Sequence, residues 1–161
     1  MKKFKNYTLK SYLEILEKKE PVPGGGSACA YSAALAAGLI SMVAVYSKNK
    51  GKSKTVELRI EKISEQSKGI SHRLLELVDL DAKAYLNVVK AKNKSAGEKK
   101  KALMEAQKVP AEICQLSYRA VNLISYLVKN GNKYLISDLE VAAELLFSAH
   151  RSASILYQAN G

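Results

Sequence analysis

The residue with the clearest chemical potential in this 161-residue chain is Asp81. Val56, Ile60, Ile63, Ser67, Ile70, Leu74, Leu77, Asp81, Tyr85 and Val88 follow one another in steps of three or four, the spacing that lines up one face of an α-helix. A carboxylate on this apolar stripe is expected to be withdrawn from water. Burial disfavours the charged form and raises the pKa, so such a group can keep a proton near neutral pH and give it to a reacting atom. An acid at a helix end, or one paired with Lys, would satisfy the same spacing, so periodicity by itself leaves a structural role open. Asp79, two residues earlier, projects to another side and reads as an ordinary solvated acid.

Two further polar segments could hold a ligand. The turn Pro23, Gly24, Gly25, Gly26, Ser27 leads into a helix N-terminus, where glycines allow close approach and free amides can bind an anion or an electron-rich oxygen. It lacks the Lys-Ser/Thr ending of a Walker motif, and a purely structural turn would read the same. Asn132, Ser137 and Asp138 cluster at a later helix entry, where capping is the ordinary explanation. His72 and His150 have no ligand partner at i+4, and Cys29 and Cys114 belong to no CxxC or Cys/His cluster, so neither a metal site nor a disulfide framework is indicated. With no GxSxG elbow and no Cys-His signature, acid–base chemistry is what remains.

These residues need helices to hold them. Thr8 can cap a first helix that runs to about Lys19 and buries Leu9, Leu13 and Leu16, before Pro21 and Pro23 interrupt it. Ser27 reads as the N-cap of a second helix reaching about Ser47, with Lys48 and Lys50 at its negative end. Its Ala30, Ala33, Ala37 and Ser41 form a small-residue face, which suits a central helix. The third helix spans about Ser53 to Lys92. The fourth steps through Ala102, Ala106, Val109, Ile113, Leu116, Ala120, Leu123 and Leu127, with Pro110 expected to kink or restart it and Gly131 to stop it. A last helix carries Asp138, Ala142, Leu145, Ala149 and Leu156. Lys90 to Lys101 is the one substantial flexible connection expected. No strand-like alternation is sustained and no repeat occurs, so the expectation is an all-α, compact, antiparallel bundle of about five helices in a single domain over residues 1–161.

Composition agrees: hydrophobic residues make up 47% and there is no Trp. The net charge of +11 raises the local concentration of anions, whether nucleic acid, acidic lipid or a polycarboxylate. No nucleic-acid recognition motif accompanies the charge, so a basic helical binding module is kept as a secondary reading. Ala28 to Tyr46 carries no charge and approaches spanning length, but it is rich in Ala, Ser and Gly and reads as a buried core helix, so no membrane association is expected. The N-terminal stretch lacks the pattern of a signal peptide, and a reducing cytoplasm fits the two isolated cysteines.

The segments PVPGGGSACAYSAALAAGLISMVA, LVDLDAKAY and GNKYLISDLEVAAELL, in this order and spacing, together resemble the cyclodeaminase/cyclohydrolase family, found as the C-terminal part of formiminotransferase-cyclodeaminase and as stand-alone bacterial methenyltetrahydrofolate cyclohydrolases. The resemblance implies a multihelical homodimer that acts on a tetrahydrofolate derivative as its substrate and needs no bound cofactor. The family's proton donor matches Asp81, the residue the stripe also selects. By the same resemblance Pro23, Gly24, Gly25, Gly26 and Ser27, with Tyr85 and with Asn132, Ser137 and Asp138, would line the folate pocket. Asp138 would accept hydrogen bonds from the guanidine-like edge of the pterin, and lysines at the mouth would attract a polyglutamyl tail. The chain departs from the family's pattern at Ile155 to Ala159, which keeps an inactive dimeric scaffold as an alternative.

Overall fold

A computed structural model describes residues 3–48 and 51–160, and no strand occurs among them. Five α-helices, α1 (Leu9–Leu16), α2 (Gly25–Tyr46), α3 (Lys54–Ala91), α4 (Ala96–Asn130) and α5 (Ile136–Ala159), are joined by short connections, with 3-10 turns at Phe4–Asn6 and Lys133–Leu135. The expected all-α bundle is present, and buried residues from all five helices form one core.

Helix α2 is the centre of that core. It packs on α3, α5 and α4, and its Ala30, Ala33, Ala36, Ala37, Ile40, Val43 and Ala44 are fully buried. Small side chains let the neighbouring backbones come close, which suits a helix enclosed on several sides. Helix α3 lays its stripe Ile60, Ile63, Ser67, Ile70, Leu74 and Leu77 against it. Arg73 of α3 grips Glu112 of α4 through two parallel bonds, Nε–Oε1 at 2.7 Å and Nη2–Oε2 at 2.9 Å, which fixes the register of the two helices.

Several boundaries differ from the sequence reading. Helix α1 is capped by Thr8, whose Oγ1 accepts the Ser11 N–H at 3.1 Å, but it ends at Leu16 and turns another face inward. Leu9 and Leu13 are 69% and 44% exposed, while Tyr12 is 3% exposed. Tyr12, Ile15 and Leu16 also stand at i, i+3 and i+4, and this face wins because the Tyr12 hydroxyl finds a buried partner in Ser27. The N-cap of helix α2 is Gly24, three residues earlier than the expected Ser27, which is instead the third residue of the helix. Lys52, rather than Lys48, meets the end of α2, its Nζ donating to the Ser47 carbonyl at 3.1 Å; Lys50 lies outside the described residues. Lys48 pairs with Glu61 at 3.0 Å instead.

The Lys90 to Lys101 segment is not a loop. Ser95 and Glu98 form a reciprocal capping box that starts α4 at Ala96 and leaves only Lys92–Ser95 as the connection. Pro110 does not start a new helix; α4 continues through it. Having no N–H, Pro110 leaves the Ala106 carbonyl without its ordinary helical donor. Gly131 does end α4, with φ −85° and no left-handed turn. A side chain there would press on the Leu127 carbonyl and stand 3.1 Å from Ser47 Oγ.

Candidate active site

The sequence placed Asp81 on the core face of α3, and the fold brings it to the mouth of α2. The Ser27 N–H donates to Asp81 Oδ2 at 3.0 Å. Gly24, the N-cap, has no side chain to accept a first-turn amide, so Asp81 caps α2 from a neighbouring helix. Gly26 makes room for it: a β-carbon at Gly26 would stand 2.9 Å from Asp81 Oδ2 and closer still to Oδ1 and Cγ. At Gly25, by contrast, a β-carbon would meet only Leu156 methyls at 3.8 and 3.9 Å. The amides of Gly25 and Gly26 have no acceptor within the helix, as at any helix start.

Two opposing influences act on the carboxyl. Burial, the larger, pushes the Asp81 pKa up, and the Ser27 N–H pulls it back. The positive end of α2 acts in the same direction as that amide. The balance leaves a carboxyl that holds its proton to higher pH than an ordinary aspartate. Asp79 is not simply solvated as its position suggested: its Oδ1 accepts the Lys5 N–H at 3.3 Å and ties the N-terminal turn to α3.

Asp81 opens onto a cleft of about 410 Å³, within the range of small-molecule sites. Of the residues singled out in the sequence, Pro23, Gly24, Gly25, Gly26 and Tyr85 line it together. Ser27 does not; it is fully buried behind Asp81. Val88, Ala106, Leu156, Asn160 and Glu20 also line the cleft and were not selected from the sequence. Ala106 and Leu156 stand at ordinary bundle spacing, and nothing in that spacing marks the end at which a cleft opens. Tyr12 was missed because the leucines of α1 drew the assignment to the wrong face.

Asn132, Ser137 and Asp138 are not part of this cleft within the chain. The Asn132 N–H donates to Ser47 Oγ at 2.8 Å, at the C-terminal end of α2, whereas Asp81 meets Ser27 near its start. Twenty residues of helix at 1.5 Å each separate the two, roughly 30 Å. Asn132 Oδ1 accepts the Tyr134 N–H at 3.1 Å and so caps the 3-10 turn, while Asp138 occupies the first turn of α5. Among the described residues no group of three or more His, Cys, Asp or Glu is placed to hold a metal ion.

Comparison with known proteins agrees over nearly the whole chain. Residues 8–161 match the family described as formiminotransferase-cyclodeaminase. The chain is 31% identical over 160 residues to methenyltetrahydrofolate cyclohydrolase of Methylorubrum extorquens, covering 93% of this chain and 77% of that protein. It is 28% identical to formimidoyltransferase-cyclodeaminase of Dictyostelium discoideum, covering 92% of this chain but 29% of that longer protein. The crystal structure of formiminotetrahydrofolate cyclodeaminase from Thermotoga maritima superposes with a TM-score of 0.93 at 30% identity, over 96% of this chain and 78% of that one.

Proposed function

Because the chain belongs to the formiminotransferase-cyclodeaminase family, we propose that the Asp81 cleft makes or opens the one-carbon bridge between N5 and N10 of tetrahydrofolate. The reaction is either cyclodeamination of 5-formiminotetrahydrofolate to 5,10-methenyltetrahydrofolate and ammonia, or the related hydrolysis of the methenyl compound to 10-formyltetrahydrofolate. The observation that carries the reading is a cleft-lining carboxyl whose pKa burial raises, held at a helix start by the Ser27 N–H.

In the deamination, N10 attacks the formimino carbon on N5 and forms the new C–N bond. The departing nitrogen enters with one hydrogen and must leave with three. One comes from N10 as it is acylated, and one from the neutral Asp81 carboxyl, whose proton reduces the cost of expelling nitrogen. Asp81 then faces the cationic methenyl product as a carboxylate. In the hydrolysis the Asp81 carboxylate takes a proton from the attacking water and returns it to N5 as the ring opens, while the remaining hydroxyl proton leaves to solvent as the formyl C=O forms.

The relatives carry both names, and the two reactions part on one product. Ammonia release from 5-formiminotetrahydrofolate marks the deaminase; loss of methenyl absorbance without ammonia marks the hydrolase. In either assay Asp81→Asn is expected to lower kcat at least about 100-fold while 5-formyltetrahydrofolate still binds. Wild-type turnover rates retained by Asp81→Asn would defeat the assignment.

The same reading takes the chain as a homodimer in a reducing cytoplasm, where free Cys29 and Cys114 are at home. Helix α2 contains no charged residue, yet it leaves Leu35, Val45 and Tyr46 63%, 47% and 60% exposed. Two copies joined antiparallel across this stripe would set the C-terminal end of one α2 beside the N-terminal end of the other. Asn132, Ser137 and Asp138 of the partner subunit would then approach Asp81, which reconciles their expected role with their distance in one chain. A polyglutamyl tail has a path as well. Val88, which lines the Asp81 cleft, also lines a second hollow with Lys92, Lys99 and Leu103.

A further inference from the structure

Asp81 is held by more than one amide. Its Oδ2 takes the Ser27 N–H, and the Ser27 hydroxyl lies 3.0 Å from the Tyr12 hydroxyl, both residues buried at 0% and 3% exposure. Tyr12 is the one fully buried residue of α1, with half-buried Ile15 and Leu16 packed beside it on the core. The Tyr12 ring packs edge-on against Tyr31, centroids 4.6 Å apart, and the Tyr31 hydroxyl donates to the Phe4 carbonyl at 2.8 Å. The N-terminal turn and α1 therefore converge on the first turn of α2, the turn that carries the Asp81 contact.

We propose that Tyr12 is a positioning residue for Asp81: through Ser27 it keeps the first turn of α2 in place so that the Ser27 amide stays on Oδ2 and the carboxyl proton resides on Oδ1. This rests on the reading of Asp81 as the acid. The chemistry follows from the two oxygens of a neutral carboxyl. The carbonyl-type oxygen is the better acceptor, so an N–H fixed on Oδ2 favours the proton on the other oxygen. Oδ1 is also the atom nearest the place a Gly26 β-carbon would take, on the glycine wall of the cleft.

The other groups near Asp81 give this amide its weight. Tyr12 from α1 and Cys29 from α2 feel its charge. Tyr85 on α3 and Glu20 before α2 share the cleft. Ala106 of α4, Leu156 of α5 and Asn160 just after α5 also face it, and none of them titrates. Among the described residues no cation is bonded to the carboxylate, and the Ser27 N–H is its one hydrogen-bond donor. Loosening that amide removes support from the charged form and raises the Asp81 pKa further.

The test uses Tyr12→Phe and Ser27→Ala in the full chain. Both remove the hydroxyl contact and keep the backbone amide at position 27. Asp81 is followed by carbon NMR of its carboxyl against pH, beside pH profiles of kcat and KM. Both variants are expected to raise the Asp81 midpoint by about half to one pH unit and to lower kcat about tenfold with KM within about twofold. A midpoint unchanged in both, or lowered in Tyr12→Phe because the freed Ser27 hydroxyl turns to Asp81, would overturn the proposal. A purely structural role for Tyr12 would lower kcat without moving the midpoint. The NMR titration needs no turnover: raised midpoints in a protein inactive on folate would retain the positioning role and remove the proposed reaction.

Discussion

Asp81 is unfavourable to folding in its charged form and useful for that reason. Its folded-state pKa lies above the unfolded value, so between the two the native state binds more protons and stability falls as pH rises. The cost is absent below the unfolded pKa and complete above the folded one. Asp81→Asn keeps an oxygen for the Ser27 N–H and removes the charge. It is therefore expected to melt higher than wild type at pH 8, and the difference is expected to shrink as pH falls toward 4, which calorimetry at several pH values would measure. Gly26 gives a second prediction. Alanine in a helix is ordinarily better than glycine by about 1 kcal/mol, but Gly26→Ala would push the Asp81 carboxylate off the α2 terminus. Its kcat is expected to fall at least about 100-fold, whereas Gly25→Ala, with only ordinary contacts to Leu156, is expected to keep activity within a few-fold.

Among the helices, α2 does two jobs with opposite faces. Its alanine face admits α3 and α5 closely, and its outer stripe leaves Leu35, Val45 and Tyr46 in solvent. Charge placed on that stripe should prevent a second copy from docking, because an unpaired ammonium would be buried. Leu35→Lys is expected to convert a dimer into a monomer in light scattering at micromolar concentration, with helicity unchanged. A wild-type monomer at that concentration would remove the two-copy site. The sequence marked α2 as central through its small residues, but it misplaced the cap: Ser27 is a strong N-cap by type, and only the packing of α3 shows that a carboxylate from elsewhere caps the helix.

Across the molecule as a whole, α3 and α4 outreach their neighbours. At 1.5 Å per residue, 38 and 35 residues give about 57 and 52 Å, against about 33 Å for the 22 residues of α2. The excess places a lysine-rich hairpin beyond the Asp81 end of the core. Along α3, Tyr85, Val88 and Lys92 follow Asp81 at helical spacing, so Lys92 stands about 16 Å from it along the axis. If this hairpin receives a polyglutamyl tail, Lys92→Glu with Lys99→Glu is expected to raise KM for a pentaglutamyl substrate about tenfold and for the monoglutamyl form much less. Salt at about 0.5 M should narrow that gap. Equal effects on both substrates would assign the lysines to general solubility.

Local spacing and residue type were enough to establish the helical class, the stripe that carries Asp81 and the stop at Gly131. They did not establish which face of α1 turns inward, since Leu9, Leu13 and Leu16 and Tyr12, Ile15 and Leu16 both satisfy helical spacing. A buried hydroxyl partner on another helix decided that. Nor could they show that Asn132 and Asp138 lie a helix length from Asp81, because similarity of segments carries no distance between them. The packing of the folded chain, by setting the start of α2 against α3 and its end against Asn132, made one group a neighbour of the acid and the other remote from it.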